Sequence, residues 1–225
     1  VSNRLWRYAI TEDRWQAAGD LPRPLAGASL VILGEHLYLL GGWDGTAMSR
    51  ELWRAALPDG ENFLGGEMWQ RLPPMPAVHA FAGAVGLNYR IYVAGGYDGQ
   101  RELDTVKVYL VEEERWEVLA SLGVPRGGLS LLHDGLAIFA VGGGWTQAVN
   151  TIERFDPEAN LWSNSPAPIA GEWRNLGAAA SIRGYLYLLG GWSDNRLTNH
   201  FQYQSSFRSF LPATQSSDSS EVPTE

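Results

Sequence analysis

The sequence predicts an all-β fold built from a repeated unit of four short antiparallel strands. Three observations point there. The glycine pairs that follow an aromatic-containing apolar stretch begin at Gly41, Gly95, Gly142 and Gly190, so they recur at intervals of 54, 47 and 48 residues. Tryptophans at Trp15, Trp69, Trp116 and Trp162 interleave with them, each 26, 26, 26 and 28 residues before the next pair. Finally, no stretch sustains a helical apolar period, whereas "VKVYLV" alternates as a half-exposed strand does. Two landmarks that hold phase over four units mark one repeated structural element.

Within a unit the elements follow in order. In the first, "AGASLVIL" and "HLYLLGG" are apolar stretches separated by the turn signal Gly34-Glu35-His36. In the second, "AFAGAVG" and "IYVAGG" flank Leu87-Asn88. A third strand follows each glycine pair, as "ELWRAAL", "TVKVYLV", "NTIERFD" and "NHFQYQ". The fourth carries the tryptophan, as "MWQRL", "RWEVL" and "LWSNS"; in the last unit "FRSFLPA" takes its place, with Phe210 for tryptophan. These strands are called A to D. The first unit has a longer C–D connection around "LPDGENFLGG". The glycine pair ends strand B where a bend and a close backbone approach favour residues without Cβ. The phased tryptophans are expected to fill the space between neighbouring sheets.

The pattern Tyr92, Gly95, Gly96, Tyr109, Trp116 resembles the kelch repeat, a four-stranded blade of a β-propeller, and the resemblance covers about residues 4–212. It implies one kelch propeller segment over 1–212, with a partial N-terminal blade at about 4–19, full blades at about 24–73, 77–121, 126–167 and 173–212, and a flexible polar tail at 213–225. Residues 4–19 match strands C and D alone, and family rings usually have about six or seven blades. The expectation is therefore four four-stranded antiparallel blades plus an N-terminal half-blade, forming an incomplete ring with open faces suited to self-association. The chain lacks an initiator Met, so an upstream part is expected.

Composition narrows the function. The formal net charge of −8 opposes general nucleic-acid binding. No apolar run reaches the roughly 18 residues of a membrane span. Cysteine is absent, which removes disulfides, thiol catalysis and Cys-based zinc sites, and leaves the compartment open. It also removes the copper-dependent oxidation of some kelch proteins, whose cofactor needs a cross-linked cysteine. The histidines His36, His79, His133 and His200 show no metal-ligand spacing, and no phosphate-cradling loop opens a helix. "WDG" and "YDG" lack the further acidic ligands of a calcium loop and read as turns. No metal or cofactor is expected.

Alternating strand direction places the B–C and D–A connections on one side of the propeller. Trp43, Tyr97, Trp145 and Trp192 stand at or next to one position after the glycine pairs, with Arg101 and Arg196 in the same loops. Aromatic and arginine side chains on a rigid scaffold are typical binding anchors; the competing reading is that the rings pack as architecture. Sixteen residues before the glycine pairs stand Leu25, His79, Arg126 and Arg174. In kelch proteins arginine is frequent there, near the channel mouth, so the resemblance implies a positive arc of His79, Arg126 and Arg174 suited to a carboxylate. The competing reading is a structural arginine bonded to loop carbonyls.

The expected function is a non-catalytic interaction module that recognises a protein, an acidic peptide or a glycan through the B–C and D–A face. The alternative is part of a propeller enzyme of mutarotase or epimerase type acting on an acidic sugar. Glu172 and Arg174 would then lie near the channel, and a convergent acid–base pair would distinguish it.

Overall fold

The computed structural model describes residues 1–58, 63–165 and 173–205. The expected strand "FRSFLPA" with Phe210, the tail at 213–225 and Glu172 lie outside the described residues. The chain forms an all-β propeller in which each sheet follows the last around an axis.

The first sheet is a hairpin of β1 (Ser2–Ala9) and β2 (Arg14–Leu25). Three four-stranded antiparallel blades follow. Blade 1 consists of β3 (Ser29–Leu33), β4 (His36–Leu40), β5 (Leu52–Ala56) and β6 (Gln70–Leu72). Blade 2 consists of β7 (Gly83–Leu87), β8 (Arg90–Ala94), β9 (Val106–Leu110) and β10 (Arg115–Leu119). Blade 3 consists of β11 (Ser130–His133), β12 (Ile138–Val141), β13 (Ile152–Asp156) and β14 (Leu161–Ser165). Blade 4 contributes β15 (Asn175–Ile182), β16 (Tyr185–Ser193) and β17 (Asn195–Gln204) among the described residues.

The apolar core is divided among the blade interfaces. Leu37, Leu39 and Trp69 of blade 1 cluster with Leu25 of the hairpin, and Leu5 and Leu21 pack against them. Tyr38, Leu40 and Leu52 meet Ile91, Val93 and Tyr109 of blade 2. Tyr92, Ala94 and Val106 meet Leu131, Ile138 and Phe155 of blade 3. Phe139, Val141 and Ile152 meet Leu176, Leu186 and Leu188 of blade 4. Strand alternation makes this arrangement: one set of side chains in each blade faces back and the other faces forward.

The phased tryptophans act across these junctions. Trp69, Trp116 and Trp162 donate their indole N–H groups to the carbonyls of Asp20 (2.9 Å), Pro73 (3.0 Å) and Ala120 (2.9 Å) in the sheet before. Trp69 is buried, the other two are partly so, and Trp15, on the first sheet, is exposed. The glycine pairs act in the opposite direction. Gly42 donates its N–H to the His79 carbonyl and Gly96 to the Arg126 carbonyl, both at 2.8 Å. Gly41 and Gly95 have φ of 61° and 64°, and a Cβ on either would strike those same carbonyl oxygens. The pair is thus the place where the next blade's backbone arrives, not only a bend at the end of a strand.

Four local departures from the sequence reading have physical causes. The N-terminal half-blade runs from 2 to 25 rather than 4 to 19, because β2 continues through register shifts until Leu25 pairs with Ser2. The long connection after β5 returns to that hairpin: Leu64 bridges Gly19 in parallel, with Asp20 N–H donated to Leu64 O at 2.8 Å. In blade 4 the pair Gly190-Gly191 lies inside β16 instead of ending it. A register shift there, and a turn at Asp194 (φ 57°), let the hairpin continue to the pair Trp192–Arg196. The fourth departure concerns Arg174 and belongs to the site below.

Candidate functional site: the cleft between blades 2 and 3

Two turns on the B–C side are closed by their own aspartates. Asp44 Oδ1 accepts the N–H groups of Thr46 (2.9 Å) and Ala47 (2.8 Å), and Asp98 Oδ1 those of Gln100 and Arg101 (both 2.8 Å). These donors hold both carboxyls below their usual titration range. "WDG" and "YDG" are turns, as their composition predicts.

Blade 3 has no aspartate in its loop "GGGWTQ". Its amides are met instead by Glu102 of blade 2. Glu102 Oε1 accepts from Trp145 N–H (2.7 Å) and Gly127 N–H (2.8 Å), and Oε2 accepts from Thr146 Oγ (2.6 Å) and Thr146 N–H (3.2 Å). Partial burial works against the Glu102 charge, but these donors outweigh it and the carboxyl titrates below its ordinary value.

Between the two loops lies a cleft of about 730 Å³. Gln100, Arg101 and Glu102 form one wall, and Thr146 to Thr151 the other. Val124 and Pro125, from the D–A connection, complete the lining. Arg101 stands at its edge with a side chain 80% exposed and a single loose ion pair to Asp98 at 3.9 Å. Tyr97 lines the cleft, and the Trp145 ring packs against Tyr97. The Trp145 ring packs edge-on against Phe81 (centroids 4.6 Å apart) and tilted against Tyr97 (5.5 Å).

Beneath the cleft, Arg126 is fully buried. Its Nη2 pairs with Glu153 Oε1 at 2.6 Å, and its Nη1 donates to the carbonyls of Thr151 (3.0 Å) and Gly142 (3.3 Å). Burial opposes the guanidinium charge and Glu153 supports it, leaving the pKa lowered. The donors of Arg126 are spent on internal acceptors, among them Val124 O and Thr151 O of the cleft lining.

His79 is buried as well. Its Nδ1 bonds to Gly95 O at 2.8 Å, which makes Nε2 the acceptor, and Lys107 Nζ lies against that nitrogen. Lys107 is the single lysine, itself buried, with Thr105 Oγ1 at 3.4 Å. Desolvation, reinforced by the Lys107 charge, lowers the His79 pKa to about 4, and desolvation lowers Lys107 to about 8. His79 in the unfolded chain takes up its proton near 6.5, well before the folded chain does. Its contribution to stability is therefore intact above about pH 6.5 and falls as the pH drops through about 4. The expected result is a steep loss of urea resistance between pH 6.5 and 4.5, flattened in His79→Gln; parallel profiles for the two proteins would refute this role of His79.

His79, Arg126 and Arg174 do not all occupy equivalent places in their blades. His79 N–H is donated to Ser49 O and Arg126 N–H to Leu103 O, and the matching bridge in blade 4 joins Val149 to Trp173. Trp173, not Arg174, takes the buried position, because residues 173 to 176 carry one residue more than the corresponding stretch that ends at Gly128. Arg174 is displaced toward the loops, where Nη1 donates to Trp145 O (2.8 Å) and Nε lies 3.5 Å from Asp194. The partner on strand C follows the same rule. Residues two before each glycine pair, Leu39, Val93, Ala140 and Leu188, pair with Trp53, Lys107, Glu153 and Phe201. One structural position therefore holds Leu25 with Trp53 in an apolar cluster, His79 with Lys107, Arg126 with Glu153, and Trp173 against Phe201 at 5.5 Å.

Of the residues singled out in the sequence, Tyr97 and Arg101 line the cleft, and Trp145 packs against Tyr97. Trp43 lies one blade away, bridged to Ala26 and Met48. Arg174, Trp192 and Arg196 form a separate group on the blade 4 hairpin. Glu102, Val124 and Phe81 were not among them. Glu102 was signalled only by the missing aspartate in the next loop. Phe81, at φ 56°, stands where blades 1 and 3 have Gly27 and Gly128.

The Kelch motif matches at residues 79–123 and 125–168, which are blades 2 and 3 and contain the whole cleft. The chain is a kelch-repeat protein. This kelch chain is similar to the Kelch-like protein terF of Aspergillus terreus, 26% identical over 212 residues, covering 87% of the chain and 45% of that protein. It is also similar to human Kelch-like protein 33, 33% identical over 150 residues, with 64% of the chain and 28% of the relative covered. Beta-scruin of Limulus polyphemus is 26% identical over 174 residues, 73% of the chain and 19% of the relative. The kelch chain spans less than half the length of each of these relatives.

Proposed function

We propose that this kelch chain is a protein-interaction module whose cleft between blades 2 and 3 receives an acidic peptide segment of a partner. The observation that carries this reading is Arg101, an exposed cation on the wall of a cleft whose other charged lining residue, Glu102, is occupied by four internal donors. Gln100, Gln147 and Asn150 add side-chain amides, which offer both a donor and an acceptor and so match a peptide backbone. Val124 and Pro125 supply exposed apolar surface beside them. A glycan would use an aromatic platform, and here the Trp145 ring is engaged by Phe81 and Tyr97. Arg126 is bonded beneath the cleft through Val124 O and Thr151 O, and Arg101 takes over the role of anchor.

An array of acidic peptides and acidic glycans probed with wild type and Arg101→Ala tests the proposal. The expected result is peptide binding that weakens about tenfold on losing one charge-assisted bond. Equal binding by both proteins, or capture of glycans alone, would overturn it.

A further inference from the structure

We infer that Glu102 is the positioning residue of the cleft: a cross-blade cap that shapes the blade 3 loop from blade 2. The chain supplies its own internal comparison. Blade 1 has Met48 at the position of Glu102, since Trp43 bridges Met48 as Tyr97 bridges Glu102. The blade that follows blade 1 closes its loop with its own Asp98. Blade 2 has the carboxylate, and the blade that follows it has Gly144, Trp145 and Thr146 with no acid. The carboxylate appears where the next loop lacks one.

The geometry makes the cap specific. One oxygen serves Gly127 on the D–A connection and Trp145 on the loop, while the other serves Thr146 twice. Glu102 thereby ties three pieces of backbone into one unit, two of them walls of the cleft. Arg174 completes the hold on Trp145 from blade 4 by donating to its carbonyl at 2.8 Å. The cleft has its shape only while blades 2 and 3 are docked. Any partner bound there is coupled to that junction, a consequence that rests on the cleft being the contact site; the cap itself does not.

Amide hydrogen exchange on the full chain separates the two. In Glu102→Ala, exchange at Trp145 and Thr146 should quicken by about ten- to a hundredfold, the ratio for losing a charge-assisted bond. Gln100 and Arg101, capped by Asp98, should keep their protection and serve as the internal control. Glu102→Gln should rescue Gly127 and Trp145 through its carbonyl oxygen but not the Thr146 amide, which would face an NH2 group. Unchanged exchange at Trp145 and Thr146 in both variants would overturn the cap. So would a uniform rise at all four loop amides, which is the signature of general loosening. If the cap holds and no acidic peptide binds wild type, the fault lies with the proposed partner alone.

Discussion

Arg126→Ala is expected to destabilise the protein by about 3–5 kcal/mol, the usual cost of breaking a buried ion pair from one side. Three losses combine. Glu153, 3% exposed, keeps a buried charge answered, among the described residues, by the Gly123 N–H (2.6 Å). The carbonyls of Gly142 and Thr151 lose their donor. The removed side chain leaves a void between blades 2 and 3. The pair itself is a different matter, because desolvating two charges offsets most of their attraction. Arg126→Met combined with Glu153→Leu should therefore recover most of the loss, short of the bond to Gly123. Urea midpoints of the single and double variants measure this. A single variant within 1 kcal/mol of wild type, or a double variant as weak as the single, would show that the charges are not the cause.

Trp69→Ala should cost a similar 3–5 kcal/mol, as expected for a large aromatic removed from a buried site. Trp69 is 5% exposed, sits in the cluster between the N-terminal hairpin and blade 1, and donates to Asp20 O across that junction. Trp69→Phe keeps most of the apolar volume and loses the bond, so it should cost nearer 1 kcal/mol. Trp15→Ala is the control: that ring is exposed and should change stability by no more than about 0.5 kcal/mol. Equal losses at Trp69 and Trp15, read by chemical denaturation, would remove the inter-blade role from the tryptophan phase.

The strands were legible because the features that make them are local. Alternation, turn residues and the glycine pair each act over a few positions, and their fixed phase carried the four-blade reading. Trp69, Trp116 and Trp162 fall at blade junctions for the same reason, whereas Trp15, which shares their phase, is exposed. What the sequence concealed was chemistry that crosses from blade to blade. Glu102 is an ordinary loop acid until the neighbouring loop is seen to lack one. Arg126 matched a surface anchor by spacing, yet its partner Glu153 lies 27 residues away and is buried with it. Arg174 shared the spacing of Arg126, and a single extra residue between Trp173 and Leu176 was enough to move it out of the equivalent place. Counting along a chain detects a period but does not detect a one-residue slip near its landmark.

The position shared by Leu25 with Trp53, His79 with Lys107, Arg126 with Glu153 and Trp173 with Phe201 has a consequence for how such a gene can change. Repeats of similar sequence invite unequal crossing-over, and a crossover can fall anywhere along the unit. One that falls between blades, near Pro73 or Ala120, transmits each couple intact. One that falls inside a blade, after strand B, deals its two members to different products: Arg126 would meet a lysine, or His79 a glutamate. The first product buries two cations together, which folding does not tolerate without a compensating acid. The charged couples thus tie strands A and B of blades 2 and 3 to their own strand C, and a library of shuffled blades would be depleted of the join that sets Arg126 against Lys107.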